Sequence, residues 1–178
     1  TASRAIENFV VDDFSTWYIR RSRDRVGPEA SKKDRGKALS VMYEVLVIIS
    51  ELAAPFIPFV TEEMYRNLTN EESVHLQDYP KGEESLVDQK LITEMVLVRK
   101  LAEQAHALRK ESAVKLRQPL GNLVYNSEEK LGQDLERILA EEVNVKSIEH
   151  KKLSGGKLKV TLDTKITPEL RSEGILRE

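Results

Sequence analysis

Four arginines lie close together near the start of the chain, directly after its single tryptophan. The stretch from Asn8 to Arg25 reads NFVVDDFSTWYIRRSRDR. Its arginines are Arg20, Arg21, Arg23 and Arg25. Exposed guanidinium groups donate paired hydrogen bonds to phosphate oxygens, and an aromatic ring such as that of Trp17 can stack on a nucleic-acid base. These residue types favour the binding of a polyanion.

The same residues also allow a structural role. On a helical wheel at about 100° per residue, the side that carries Phe14 and Trp17 also carries charged residues, whereas Ser22 faces away. The charged residues on that side are Asp13, Arg20, Arg21 and Asp24. Carboxylates and guanidinium groups so placed can form an ion-pair network at the rim of a core. The sequence leaves phosphate binding and this network open as alternatives.

Charge is strongly segregated along the chain, although the net charge is only −2. Residues 20–37 include eight basic and three acidic side chains, and residues 61–94 include nine acidic and three basic ones. The basic residues that follow the first apolar pattern are Arg23, Arg25, Lys32, Lys33, Arg35 and Lys37. We expect them to be exposed at one end of a helical bundle. Such segregation creates a local field that attracts a charged partner.

A second basic stretch, RKESAVKLRQPL, surrounds the predicted end of a long helix. The candidate binding residues in it are Arg109, Lys115, Arg117 and Gln118. The cations could hold phosphates, and the side-chain amide of Gln118 could read the edge of a base. Alternatively, the basic residues complement the dipole at the carboxyl end of the helix.

Composition excludes several classes of site. The chain has 178 residues, of which 40% are hydrophobic and 33% charged, with three histidines and no cysteine. Disulfides and cysteine-type zinc sites are therefore excluded, and the scattered histidines fit no metal-ligand spacing. No apolar run approaches the ~18 residues needed to cross a bilayer. We expect a cytoplasmic protein without a metal.

Long segments with helical periodicity must position the basic residues. Apolar residues recur at helical spacing in residues 2–25, 33–54 and 86–112, with Val41 and Leu91 among those predicted to face the core. Thr61 can cap a shorter helix that ends near residue 68. This pattern predicts a mainly α fold, with an antiparallel helical bundle over residues 1–117.

After Pro119 the pattern changes to alternation typical of strands. NLVYN, VKSIEH and KLKVTLDT read as strands, with a helix after the first and a turn at Gly155-Gly156. We therefore predict a small α/β, βαββ-like subdomain in residues 118–178. Thr167 and Pro168 can begin a last helix that the sequence truncates, so we expect a piece of a longer chain. The strand lysines could touch RNA or protect sheet edges: Lys151, Lys152, Lys157 and Lys159.

Four motifs, in their order and spacing, resemble a known family. They are ENFVVDDFSTWYIRRSRDR, LAAPFIPFVTEEMY, ESVHLQDYP and KLRQPL. Together they are similar to the C-terminal anticodon-binding region of isoleucyl-tRNA synthetases, which are class I aminoacyl-tRNA synthetases. LAAPFIPFVTEEMY also occurs in similar form in the valyl and leucyl enzymes. We read that segment as structural, with Phe59 covering the bundle core.

The resemblance implies a module that binds the anticodon stem-loop of the isoleucine tRNA. The intact enzyme would join isoleucine to that tRNA with ATP and Mg²⁺, and we expect a monomer. The two ATP-site signatures of the class and the editing domain are absent from this sequence, so this fragment should not catalyse aminoacylation and needs no cofactor. The alternatives are the equivalent domain of a valyl or leucyl enzyme, and a helical module that docks another protein.

Overall fold

The structure, a computed structural model, describes residues 1–152 and 158–176. These residues form helices throughout most of their length and one small sheet, which confirms the mainly α class with a small α/β part. They group into two compact units, Thr1–Glu84 and Ser85–Glu178. The predicted turn at Gly155-Gly156 and the side chain of Lys157 lie outside the described residues.

The first unit is built from helices. They are α1 (Ala2–Asn8), a π-helix (Phe9–Ile19), α2 (Arg23–Val26), α3 (Lys32–Ala53), α4 (Pro58–Thr69) and a 3-10 turn (Val74–Leu76). A second 3-10 turn, Glu84–Leu86, begins at the last residue of this unit. The predicted helix over residues 33–54 is confirmed to within one residue at each end.

The helix predicted for residues 2–25 is interrupted and partly of another type. Residues Phe9–Ile19 form a π-helix, whose i→i+5 hydrogen bonds widen each turn beyond 3.6 residues. Successive side chains therefore turn by less than the 100° assumed on the helical wheel. Ser22, which was predicted to face away from the apolar side, is only 3% exposed and lies at the break before α2.

Helix α4 begins three residues before the predicted cap. Pro58 takes the first helical position, for which its fixed φ and missing N–H suit it. Thr61 is therefore inside the helix and almost fully buried, and its hydroxyl donates to the carbonyl of Ile57 at 3.0 Å. The N-cap prediction for Thr61 was wrong. At the other end Asn70 closes the helix in the left-handed region, at φ 61°.

The core of the first unit is small and partly covered. Tyr65 of α4 packs with Ala54 and Val74, and Val47 covers this cluster from α3. Other predicted core residues are exposed, since Val41 is 42% and Phe59 is 88% accessible. Their burial was predicted from the apolar pattern of the sequence, which does not say which apolar face of a helix another element covers.

The second unit places two helices against a three-stranded sheet. Its elements are α5 (Gln89–Glu111), β1 (Leu120–Ser127), α6 (Gln133–Val143), β2 (Val145–Lys152), β3 (Lys159–Leu162) and α7 (Pro168–Ile175). The strand order is β2-β1-β3, with β1 parallel to β2 and antiparallel to β3. Chain order from β1 is β-α-β-β, as the sequence predicted.

The sheet and α5 share the main core of this unit. Leu101 and Ala105 of α5, Leu123 and Tyr125 of β1, and Leu139 of α6 have no accessible surface. The first two turns of α5 remain open, because Leu91 is 46% exposed and was wrongly predicted to face the core.

The start of α7 follows the sequence signal. The Thr167 hydroxyl accepts from the Leu170 N–H at 3.4 Å, and Pro168 takes the first position of the helix. No helix in the described ranges is long and apolar enough to cross a membrane.

Candidate nucleic-acid interface

Three of the predicted cations form an open group in the first unit. Arg23 lies on α2, and Lys32 and Lys33 lie on the first turn of α3. All three are exposed, and none of them makes an ion pair with any residue that the structure describes. Their side chains are therefore available to an anionic partner.

Arg20 and Trp17 form a cation–π pair in the same unit. The guanidinium carbon of Arg20 lies 6.0 Å from the centre of the Trp17 ring, within the range of a cation–π contact. Its Nε donates to the carbonyl of Thr16 at 2.8 Å. Arg20, its neighbour Arg21 and Trp17 are each partly exposed and have further interactions. These three side chains are therefore held by contacts within the protein and are still partly accessible to a partner.

Arg25 is neutralised by a carboxylate. Its Nη2 and Nε bond Asp34 of α3 at 2.8 and 3.1 Å, in a bidentate arrangement. The hydrogen bonds from Arg25 lower the pKa of the Asp34 carboxyl, and those to Asp34 raise the pKa of the Arg25 guanidinium. The pair is about 40% exposed. As the structure stands, Arg25 joins α2 to α3.

Arg35 faces the turn between α2 and α3. Its Nη2 donates to the carbonyls of Gly27 and Pro28, at 2.6 and 3.2 Å. Its Nε is buried and has no hydrogen-bond partner within the described structure. Arg35 thus holds the turn between α2 and α3, and we leave it out of the exposed group.

In the second unit, Arg109 is a buried residue at the end of α5. It is 2% exposed, and burial lowers the pKa of its guanidinium. It donates hydrogen bonds to four backbone carbonyls, at 2.8 to 3.1 Å: those of Lys115, Gln118, Val143 and Asn144. Because its donors are used in the interior, the predicted phosphate contact of Arg109 does not fit the structure.

Asn144 completes the support of the same loop and was missed in the sequence. It has a left-handed backbone, with φ 52°, directly after α6. Its side-chain amide donates to the carbonyls of Leu116 at 2.9 Å and of Arg117 at 3.1 Å. With Arg109, it binds four successive carbonyls, from residue 115 to residue 118. An asparagine that follows a helix was the only sequence signal for this role.

The loop held in this way presents the remaining predicted residues. Lys115 and Arg117 are exposed, and Gln118 is partly buried. The Gln118 amide nitrogen donates to the carbonyl of Leu170 in α7 at 2.7 Å. The loop and the segment around α7 enclose a cleft of about 430 Å³, which Lys115, Arg117, Gln118 and Gly174 help to line.

The third basic cluster lies on the edges of the sheet. Lys151 and Lys152 are exposed on β2, and Lys159 is exposed on β3. Both strands flank β1, so these lysines occupy edge positions, where charge discourages pairing with another strand. Across residues 1–152 and 158–176, no group of three histidine, aspartate or glutamate side chains could hold a metal ion.

Comparison with known proteins identifies a family. Residues 1–124 match the family model described as the anticodon-binding domain of tRNA ligase. The chain is 37% identical over 155 residues to the isoleucine–tRNA ligase of Pyrococcus abyssi, covering 83% of the chain and 14% of that protein. It is 40% identical over 158 residues to the enzyme of Thermus thermophilus, covering 83% and 15%.

A match with the isoleucine–tRNA ligase of Thermobifida fusca extends over almost the whole chain. It has 36% identity over 178 residues and covers 97% of the chain and 16% of that enzyme. The chain thus spans about a seventh of the length of the curated relatives it matches. The family model covers well over half of the chain, and the chain belongs to the anticodon-binding domain family of tRNA ligases.

Proposed function

We propose that this chain is the part of an isoleucine–tRNA ligase that binds the anticodon stem-loop of the isoleucine tRNA. The observation that carries the proposal is the family match over residues 1–124, which include both basic stretches. Its similarity to the isoleucine ligases of three organisms favours isoleucine over valine or leucine.

Two basic surfaces would make the contacts. The first comprises Arg20, Arg21, Arg23, Lys32 and Lys33, with Trp17 beside them. The second comprises Lys115, Arg117 and Gln118. Phosphate contacts from the cations would supply salt-dependent affinity without sequence preference. Bases of the loop, unstacked and bound at their edges, would supply discrimination.

The remaining features of the parent enzyme follow from the same assignment. Residues 1–117 would act as an antiparallel helical bundle that binds tRNA, and residues 118–178 as a junction to the rest of the enzyme. Joining isoleucine to tRNA with ATP and Mg²⁺ would be the work of domains outside this chain. The parent would be a cytoplasmic monomer.

The proposal is tested by titrating the chain with an isoleucine-tRNA anticodon stem-loop at several salt concentrations. The variant Arg23→Ala/Lys32→Ala/Lys33→Ala should weaken binding and flatten the plot of log K against log salt. Each lost phosphate contact should reduce the slope by about 0.7–0.9.

The control removes as many positive charges from the acidic stretch. Arg66→Ala/Lys81→Ala/Lys90→Ala deletes all three basic residues of residues 61–94. This variant should keep the slope of the wild-type chain. Equal slopes for the two triple variants would contradict the first basic surface, and a wild-type chain that binds no RNA would contradict the proposed function as a whole.

A further inference from the structure

We propose that the cleft between the residue 112–118 loop and α7 binds one unstacked nucleotide of the RNA. The inference rests on the proposed function and adds a defined pocket to it. The cleft has a volume of about 430 Å³, within the range of roughly 300–1,000 Å³ typical of small-ligand sites. The chemistry of its lining, described next, fits a phosphate and the edge of a base.

Positive charge lines one side of the cleft. Lys115 and Arg117 are both exposed and both contribute to its wall. Arg117 makes no ion pair with any residue in the described ranges. These two groups suit the phosphate of a nucleotide. The guanidinium can donate two parallel hydrogen bonds to the phosphate oxygens, and the ammonium group adds a positive point charge.

The side-chain amide of Gln118 also lines the cleft, and its oxygen is a free acceptor. The nitrogen of the Gln118 amide is used by the carbonyls of Pro119 and Leu170, at 3.0 and 2.7 Å. These bonds fix the orientation of the amide, so that its oxygen is the remaining polar atom. No described residue donates a hydrogen bond to this oxygen. It can accept from an N–H group on a base edge.

Gly174 makes room for the Gln118 amide in the wall of the cleft. It is buried in α7, in the wall of the cleft. A Cβ atom added to it would lie 2.5 Å from the Gln118 amide oxygen and 3.1 Å from the amide carbon. Any larger residue must therefore displace the Gln118 side chain and reduce the space beside it. This makes Gly174→Ala a probe that alters the pocket without changing charge.

The loop that carries these groups is held in place before RNA arrives. Arg109 and Asn144 bind the carbonyls of residues 115–118. Little conformational entropy is then lost when a nucleotide enters, which favours binding by a preorganised site. Rigidity, charge and a fixed acceptor thus occur together in one pocket.

The experiment is a double-mutant cycle between the protein and the RNA. The full 178-residue chain is titrated with the isoleucine-tRNA anticodon stem-loop and with seven versions that each lack one base of the loop. Gly174→Ala should weaken binding of the intact stem-loop about fivefold or more, with an unchanged salt slope. With one of the abasic RNAs, wild-type and variant chains should bind equally.

Two further variants separate folding from recognition. Gly82→Ala is the matched control, because a Cβ at Gly82 meets no atom within 4 Å, and it should bind every RNA as the wild type does. Gln118→Ala should show the same cycle as Gly174→Ala, and thermal melting establishes that each variant is folded.

The outcomes distinguish this inference from the proposed function. If the wild-type chain binds RNA but Gly174→Ala and Gln118→Ala weaken all eight RNAs alike, or none, the nucleotide pocket is refuted and the basic surfaces stand. If the wild-type chain binds none of the RNAs, both proposals fail.

Discussion

Arg109 donates a hydrogen bond from Nη2 to the backbone carbonyl of Asn144 at 2.8 Å, and both side chains bind the same loop. Arg109 binds the carbonyls of Lys115 and Gln118, whereas the Asn144 amide binds those of the two residues between them. Two side chains therefore satisfy four successive acceptors in a loop without regular structure. The contacts explain why this loop has a defined shape despite lying between a helix and a strand.

Arg109→Ala should destabilise the second unit. The change removes a donor from four backbone carbonyls. Those of Lys115 and Asn144 still accept from the N–H groups of Gln118 and Leu120, whereas those of Val143 and Gln118 lose the guanidinium as partner. Each buried group left unpaired costs about 1–3 kcal/mol. Because some will reach water, we expect a loss of about 2–4 kcal/mol in the free energy of unfolding, measured by urea denaturation.

The neighbouring substitution Lys110→Ala is the control, since Lys110 is exposed on the same turn of α5. It should change stability by no more than about 0.5 kcal/mol. An Arg109→Ala chain as stable as the Lys110→Ala chain would show that water can replace the guanidinium.

Substitutions of Asn144 separate its backbone conformation from its side-chain contacts. Asn144→Gly keeps the left-handed backbone and loses the two amide bonds, which we expect to cost about 0.5–1.5 kcal/mol. Asn144→Ala loses the same bonds but keeps a Cβ in the left-handed region, where alanine is less favourable than glycine by roughly 1 kcal/mol. Chemical denaturation of both variants gives the difference directly, and an alanine variant as stable as the glycine variant would mean that the backbone relaxes.

Local signals in the sequence predicted several elements because each depends on neighbouring residues. The Thr167-Pro168 pair placed the start of α7, and the alternation of apolar residues placed β3. The π-helix was not predicted, because apolar residues at spacings of three and four are typical of the far more common α-helix.

The sequence located the basic stretches, but it did not show which of their cations are exposed and which are paired or buried. Arg23 and Arg25 are two residues apart, yet Arg23 is open and Arg25 is paired with Asp34. The pair forms only because the turn between α2 and α3 brings a residue nine positions away into contact. Arg109 was likewise chosen as a surface cation, and its burial depends on the carbonyls after α6, which are more than 30 residues away in sequence.

Acid should remove a stabilising contact in the first unit. Burial of the Glu62 carboxyl acts to raise its pKa, but hydrogen bonds from the Ser73 hydroxyl and the Val74 N–H outweigh this, and its pKa lies below the ordinary 4.5. A carboxyl with a lower pKa in the folded state stabilises the fold above pH 4.5, and the contribution is lost as the pH falls through the folded value.

The test compares Glu62→Gln with the wild type between pH 7 and pH 3. The melting temperature of the variant should be lower at pH 7, and the gap should narrow in acid as Glu62 becomes protonated. Glu63→Gln, at the exposed neighbouring position, should follow the wild type throughout. A gap for Glu62→Gln that stays constant over this range would refute the linkage.

Asp34→Asn should strengthen RNA binding, because it would release the Arg25 guanidinium. In the wild-type chain, Asp34 occupies Nε and Nη2 of Arg25, so any RNA phosphate must compete with a bidentate carboxylate. The asparagine keeps the shape of the side chain but removes its negative charge. One added phosphate contact should tighten binding of the anticodon stem-loop about threefold to tenfold at low salt and steepen the salt slope by roughly one.

In the double variant Arg25→Ala/Asp34→Asn the charge of Arg25 is gone, so the added slope should disappear. If the single and double variants have the same slope, Arg25 lies outside the RNA-binding surface and its role is confined to joining α2 to α3.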